Sequence, residues 1–204
     1  MGKNNSVKKI DEEQILKRFE YTVQEYIRFY DFYKNKMIFL DAKPNKAHLK
    51  LAEMERAGKL SAIVTQNIDG LHQAAGSKNV FELHGSVHRN YCQKCGKFFD
   101  VNYVVNAKGV PYCDECGGII KPDVVLYEEG LDSQTINGAV RAISKADMLI
   151  IGGTSLVVYP AAGMIDYFKG KYLAVLNRDA TSRDKQADLC ITDPIGEVLG
   201  RIRV

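Results

Sequence analysis

Four of the five cysteines constrain this chain more than any other feature of its 204 residues. They form two Cys-x-x-Cys pairs separated by seventeen residues: Cys92, Cys95, Cys113 and Cys116. Gly96 and Gly117 follow the pairs and let the backbone turn beneath the sulfur atoms. Two such knuckles, joined by a short hairpin, present four thiolates to a tetrahedral Zn²⁺. The spacing predicts one zinc ion, and because four thiolates leave no position for water, that zinc is structural.

Disulfide bonds are the alternative for these cysteines. No signal peptide precedes them, which favours a cytoplasmic protein whose reduced thiols are held by zinc. No apolar run approaches the ~20 residues of a membrane span, so no membrane partner is expected. The fifth cysteine, Cys190, lies in the apolar run 189–191 and is expected to be a small buried hydrophobic residue.

Polar side chains follow two predicted strands. Asn67 and Asp69 come after the apolar strand 61–65, and His84 comes directly after the strand 80–83. In open α/β sheets ligands bind at the carboxyl ends of the strands, so these side chains are candidates for a shared cleft. A histidine at a strand end is otherwise a hydrogen-bonded structural residue.

A third predicted strand leads into a glycine turn. Residues 148–151 form a continuous apolar run, typical of a buried parallel strand, and Gly152, Gly153, Thr154 and Ser155 follow it. A strand followed by glycines and hydroxyls favours contact with phosphate or ribose. Helices are predicted over 11–37 (continuous, or broken once), from Pro44 to about Gly58, and over 133–146. Their alternation with strands, including those at 172–176 and 187–192, predicts a doubly wound sheet.

Several motifs, in this order, closely resemble the sirtuin family of NAD-dependent protein-lysine deacylases. They are Gln-Asn-Ile-Asp-Gly-Leu-His at 66–72, Leu-His-Gly at 83–85, the four cysteines, Lys-Pro-Asp-Val-Val at 121–125, Gly-Thr-Ser-Leu at 153–156, and Asn177. The resemblance covers roughly residues 29–204 and implies an α/β fold, with a doubly wound, mostly parallel Rossmann-like sheet and a small zinc-ribbon and helical module. The domains expected are a polar tail (1–9), a helical segment (10–58), a Rossmann-like NAD-binding domain (59–88 and 122–204) and a zinc-binding module (89–121).

The resemblance also implies site residues. His84 is the expected general base, since an imidazole exchanges protons near neutral pH. The residues expected to contact NAD are Gln66, Asn67, Asp69, Gly153, Thr154, Ser155, Asn177, Arg178 and Ile195. An acyl-lysine peptide is expected to add as a strand between two segments of the chain, where it meets Val124, Val125, Tyr127, Leu156, Val157 and Val158.

The reaction implied is transfer of an acyl group from lysine to ADP-ribose. The acyl oxygen attacks the nicotinamide ribose, nicotinamide leaves, and His84 helps a ribose hydroxyl attack the resulting imidate. Deacylated lysine and O-acyl-ADP-ribose are the products.

The sequence departs from the family pattern before residue 61. In sirtuins a strand and a glycine-rich cofactor loop precede the first helix, whereas only Gly2 and Gly58 occur here before residue 60. The resemblance thus implies a chain shortened at the front, with an incomplete sheet. Besides a deacylase, it leaves open a catalytically impaired, zinc-bearing module that binds peptide or nucleotide. Nucleic-acid binding is not expected, because the net charge is only +3 and no stacking aromatic side chains are expected in the zinc module.

Overall fold

The computed structural model describes residues 12–126 and 128–204, and within the first helix the side chains from Thr22 onward. The tail predicted over residues 1–9 and the predicted substrate residue Tyr127 lie outside the described residues. The helices are α1 (Glu12–Phe32), α2 (Lys46–Arg56), α3 (Leu71–Ala74), α4 (Val101–Asn106), α5 (Ser133–Lys145) and α6 (Ile195–Gly200), with a π-helical turn at Tyr33–Met37 and 3₁₀ turns at Ala161–Tyr167 and Asp184–Gln186. The strands are β1 (Ile63–Thr65), β2 (Val80–Glu82), β3 (Gly85–Cys92), β4 (Phe98–Phe99), β5 (Ile120–Val124), β6 (Met148–Gly152), β7 (Tyr172–Leu176) and β8 (Leu189–Ile191).

The described chain divides into two compact units. One contains the described residues up to Phe39 together with Arg89–Lys121, and the other contains Leu40–His88 and Pro122–Val204. Helix α1 therefore shares a unit with the four cysteines, whereas α2 belongs to the unit with the parallel strands.

The first unit holds its helix by polar contacts to main-chain carbonyls. The Tyr30 hydroxyl donates to the carbonyl of Ile120, and Tyr30 is almost fully buried. Lys34 Nζ donates to the carbonyls of Ala107 (2.6 Å) and Gly109 (2.7 Å). The helix predicted to run to residue 37 changes at Tyr33 to a π-helical turn. Lys34, which makes two of these contacts, lies in that turn.

In the second unit β6, β7 and β8 form a three-stranded parallel sheet in sequence order. Alternate side chains of a strand point to opposite faces. Ile151 and Val175 pack into a core cluster on one face, and Ile150 and Leu176 pack on the other with residues of α2 and α6. Both faces are covered, as the doubly wound prediction requires.

Strands β1 and β2 form a parallel pair, with Val64 opposite Phe81. Both side chains pack against a buried cluster that includes Ala139 and Ile143 of α5, and Leu149 of β6 packs against the same cluster. One hydrophobic core therefore supports both groups of parallel strands. A separate three-stranded sheet has the order β4, β3, β5.

One prediction of burial was wrong. Cys190 lies in β8 as the apolar run implied, but its side chain is exposed, as are those of most of this three-residue strand. Its partner on the sheet is Val175 of β7, and β8 lies at one end of the strand order β6, β7, β8. A strand at a sheet edge is covered less completely than a central one, so apolar character alone did not determine burial. Among the described helices, none has both the length and the apolar character needed to cross a membrane.

Candidate functional site

The four predicted zinc ligands form one cluster. Their sulfur atoms lie within 4.8 Å of one another. The sulfurs of Cys92 and Cys116 are 3.4 Å apart, and those of Cys95 and Cys113 are 3.7 Å apart. Zn–S bonds of about 2.3 Å in a tetrahedron separate sulfurs by about 3.8 Å. All four are free thiols rather than disulfides, and the donor set fits one structural Zn²⁺.

Main-chain N–H groups favour the thiolate form of Cys92. The N–H of Cys95 and the N–H of Lys94 donate to its sulfur, and these hydrogen bonds lower the pKa of the thiol to about 6. The thiolate is the form that binds metal. Gly118 allows close packing here, because a Cβ at this residue would lie 2.8 Å from the Cys92 sulfur.

The zinc module does present aromatic side chains, so that part of the argument against nucleic acid was wrong. Tyr91, Phe98, Tyr103 and Tyr112 are exposed. The absence of a nucleic-acid partner stays a prediction that depends on the low net charge alone.

His84 is held at the turn between β2 and β3. Its Nδ1 lies 3.0 Å from the carbonyl oxygen of Gln66, and because a carbonyl only accepts, Nδ1 carries the proton and Nε2 is the basic nitrogen. The Val125 N–H donates to the His84 carbonyl at 3.1 Å. Gly85 has φ 75°, and a Cβ there would lie 1.9 Å from the Asp123 carbonyl oxygen, so glycine is required. The imidazole thus has the tautomer and the fixed orientation that a general base needs.

The segment between β1 and α3 is fixed by hydrogen bonds. The Val87 N–H donates to the Ile68 carbonyl at 3.0 Å. The carboxylate of Asp69 accepts from the N–H of Leu71, the first residue of α3, at 3.0 Å. Asn67 is exposed beside it. These contacts bring Gln66, Asn67 and Asp69 into one loop between β1 and α3, which His84 contacts at the Gln66 carbonyl.

Two histidines, one on α2 and one on α3, contact each other and feel the charge of Asp69. The ring centroids of His48 and His72 are 4.7 Å apart. His48 Nδ1 accepts from the Asn45 N–H and completes a capping box at the start of α2. Burial lowers the pKa of His72, the neighbouring His48 lowers it further, and Asp69 raises it in part. Burial likewise lowers the pKa of His48.

An open cavity of about 560 Å³, here called the strand-end cavity, lies at the carboxyl ends of β6, β7 and β8. Its lining includes six of the residues predicted to contact NAD: Gly153, Thr154, Ser155, Asn177, Arg178 and Ile195. Gly153 has φ 62°, and a Cβ there would meet no atom within 4 Å, so its backbone is open to a ligand. The volume lies within the range of about 300–1,000 Å³ typical of small-molecule sites. The strand-end cavity therefore fits the nucleotide portion of a dinucleotide in its volume, its glycine turn and its polar lining.

The predicted NAD residues thus form two groups. Among the described residues that line the strand-end cavity, none belongs to the loop at 66–69, and His84 is also outside that lining. Both groups follow the carboxyl ends of parallel strands.

Seven further residues line the strand-end cavity that were not predicted to contact NAD. They are Asn45, Leu176, Asp179, Ala180, Asp193, Pro194 and Gly196. The predicted second helix begins at Pro44, and no ligand contact was predicted for Asn45. Its position at the cavity depends on how α2 packs with α6, which local sequence does not encode.

The predicted substrate residues differ in exposure. Val157 and Val158 are 68% and 48% exposed, whereas Leu156 is buried in the core and has φ 58°. Val124 is also buried, in β5. Among the described substrate residues, Val157 and Val158 are exposed and Val125 is half-buried, so these three offer side-chain surface to an outside ligand. The buried Val124 and Leu156 can contribute through their backbone.

Comparisons with known proteins agree with this geometry. The family model described as "Sir2 family" matches residues 3–160. A protein of Clostridium acetobutylicum named NAD-dependent protein deacetylase is 66% identical over 172 residues, which are 84% of this chain and 70% of that protein.

Solved structures are similar over most of the chain. A structure of Sir2 bound to acetylated peptide has 38% identity and a TM-score of 0.80, with 90% of this chain and 79% of the other covered. A structure of Sir2 with p53 peptide and NAD+ has 37% identity and a TM-score of 0.80, covering 98% and 83%. By sequence and by fold, the chain belongs to the Sir2 family, the sirtuins.

Proposed function

We propose that this chain is an NAD-dependent protein deacetylase that removes acyl groups from lysine side chains of proteins or peptides. The observation that carries the proposal is His84, whose Nδ1 is committed to the Gln66 carbonyl and whose Nε2 is therefore the basic nitrogen. The name of the C. acetobutylicum relative, at 66% identity, favours this function over a non-catalytic binding module.

The predicted NAD-binding residues of the strand-end cavity and those of the loop at 66–69 have different roles. NAD supplies a ribose carbon from which nicotinamide can leave. Gly153, Asn177 and Arg178 bind the adenosine portion in the strand-end cavity. Asn67 orients ribose and water, and Asp69 accepts from the carboxamide of nicotinamide. Gln66 and Ser155 add polar contacts on either side.

His84 moves one proton. With Nδ1–H donated to Gln66, Nε2 accepts a proton from a ribose hydroxyl and activates it as a nucleophile toward the acyl carbon. The hydrogen bond from Nδ1 to Gln66 is kept in the imidazolium, because Nδ1 is a donor in both states.

The acyl-lysine peptide pairs with backbone between the segment after β5 and the segment after Ser155. Exposed Val157 and Val158 flank it. A similar Sir2 structure that carries an acetylated peptide supports this substrate class. The four free thiols, held by zinc, suit a reducing compartment, and we place the protein in the cytoplasm.

A comparison of the wild-type chain with His84→Ala tests the proposal. We expect wild type to deacetylate an acetyl-lysine peptide only when NAD is present. Removal of the base should lower kcat by about 10²- to 10⁴-fold, while NAD still binds in calorimetry. NAD-dependent turnover that survives the substitution would overturn the role of His84, and a wild-type chain that binds NAD without turnover would overturn the function.

A further inference from the structure

We propose that His88 is a positioning residue that holds the Ile68–Gly70 turn, and with it Asp69, in the geometry that receives the nicotinamide end of NAD. The inference deepens the proposed function and depends on it for the identity of the ligand. His88 Nε2 lies 3.1 Å from the main-chain carbonyl of Asp69. Because that carbonyl only accepts, Nε2 carries the proton, so His88 has the opposite tautomer to His84 and is not a base toward this loop.

Van der Waals contact adds to the hydrogen bond. Gly70 has φ 69°, and a Cβ at this residue would lie 2.7 Å from Cδ2 and 2.9 Å from Nε2 of His88. The imidazole therefore lies directly against the glycine backbone. The position of the ring therefore requires glycine at residue 70, since any larger residue there would displace the ring.

Two consecutive residues of β3 hold two consecutive carbonyls of the turn. The Val87 N–H donates to Ile68, and the His88 side chain donates to Asp69. The carboxylate of Asp69 is fixed separately, by the Leu71 N–H. Asp69 is thus held at its main chain from β3 and at its side chain from α3, which leaves its carboxylate little freedom to rotate.

The same strand connects the turn to the general base. β3 begins at Gly85, directly after His84, so only three residues separate the imidazole that moves the proton from the imidazole that holds the loop. Loss of the His88 contact should therefore affect the nicotinamide end of the site, while the strand-end cavity, which His88 does not line, keeps its contacts.

Kinetics of two variants test this role. We expect His88→Ala to raise the KM for NAD and the nicotinamide concentration that gives half-inhibition by about three- to tenfold, consistent with the loss of one hydrogen bond. The KM for the acetyl-lysine peptide should stay within twofold. His88→Gln keeps an N–H donor and should restore both affected values to within twofold of wild type. The proposal would be overturned if His88→Ala raised the KM values for peptide and NAD equally, or if His88→Gln failed to restore the affected values.

A second measurement does not require turnover. Hydrogen exchange of the peptide that covers residues 66–72 should be faster in His88→Ala than in wild type and restored in His88→Gln. Gly70→Ala should accelerate exchange strongly in the wild-type background and less in His88→Ala, where the ring is absent. Unchanged exchange in His88→Ala would reject the positioning role, whereas a wild type without activity but with the expected exchange pattern would reject only the deacetylase function.

Discussion

The main-chain group that a side chain contacts can determine its chemical role in this protein. His84 and His88 are near neighbours in sequence, yet one donates through Nδ1 to Gln66 and the other through Nε2 to Asp69. The sequence predicted His84 from its place at a strand end, but it could not predict the tautomer, which depends on a carbonyl eighteen residues earlier. His88 gave no recognisable pattern, because its contact is formed only when β3 passes the turn before α3.

Loss of the Asn45 side chain should measurably lower the free energy of unfolding. Its side-chain oxygen accepts from the N–H groups of Ala47 (2.9 Å) and His48 (3.2 Å). Asn45→Ala leaves these donors without the cap and should lower the free energy of unfolding by about 1 kcal/mol. Urea denaturation with an unchanged m-value measures this loss. Asn45→Asp keeps an acceptor and serves as the control, and an alanine variant as stable as wild type would contradict the capping role.

Secondary-structure elements were predicted best where a long periodic pattern met a clear boundary. Strand 172–176 agrees with β7, and the helix predicted over 133–146 agrees with α5 to one residue. The π-helical turn at Tyr33–Met37 could not be read from periodicity, because the buried Tyr33 continues the apolar stripe of α1. Cys190 was placed in the correct strand and given the wrong burial, since exposure depends on the position of β8 in the sheet.

The contact between α2 and α3 predicts a dependence of stability on pH. His48 and His72 both have a pKa below the ordinary 6.5, mainly through burial, with Asp69 opposing the shift. Below about pH 6.5 the unfolded chain therefore binds more protons than the folded chain, and stability present above that pH is lost as the pH falls.

Urea unfolding at pH 7.5 and pH 5.5 measures this effect. The free energy of unfolding should fall on acidification, and it should fall less in His72→Asn, which removes one of the two titrating groups. The difference between the variants isolates the histidine pair from the zinc thiolates, which also titrate. If the free energy of unfolding depended on pH identically in wild type and His72→Asn, the histidine pair would contribute nothing to that dependence.

At the scale of the whole molecule, the four cysteines stabilise one of two compact units and the parallel strands build the other. The zinc site was predictable because its spacing is local and its chemistry narrow. The strand-end cavity was predictable only in part, because Asn45 and Gly196 reach it from elements far apart in sequence.

Metal content tests the first unit. Cys113→Ala removes one of four ligands and should abolish nearly all bound zinc, because the remaining three thiolates no longer close the tetrahedron. Cys190→Ala is the matched control: this cysteine is exposed on β8, and the variant should keep one zinc per chain. Elemental analysis gives the ratio directly. Full zinc content in Cys113→Ala would contradict the four-thiolate assignment.

The central claim, NAD-dependent deacetylation, is tested most directly by the stoichiometry of products. Zinc-loaded protein is incubated with NAD and an acetyl-lysine peptide, and free nicotinamide, deacetylated peptide and O-acetyl-ADP-ribose are quantified together by mass spectrometry. Three equal amounts that rise in parallel, and that are absent without NAD or in His84→Ala, are the predicted result. Deacetylated peptide without nicotinamide, or neither product from folded protein that contains zinc, would contradict the account.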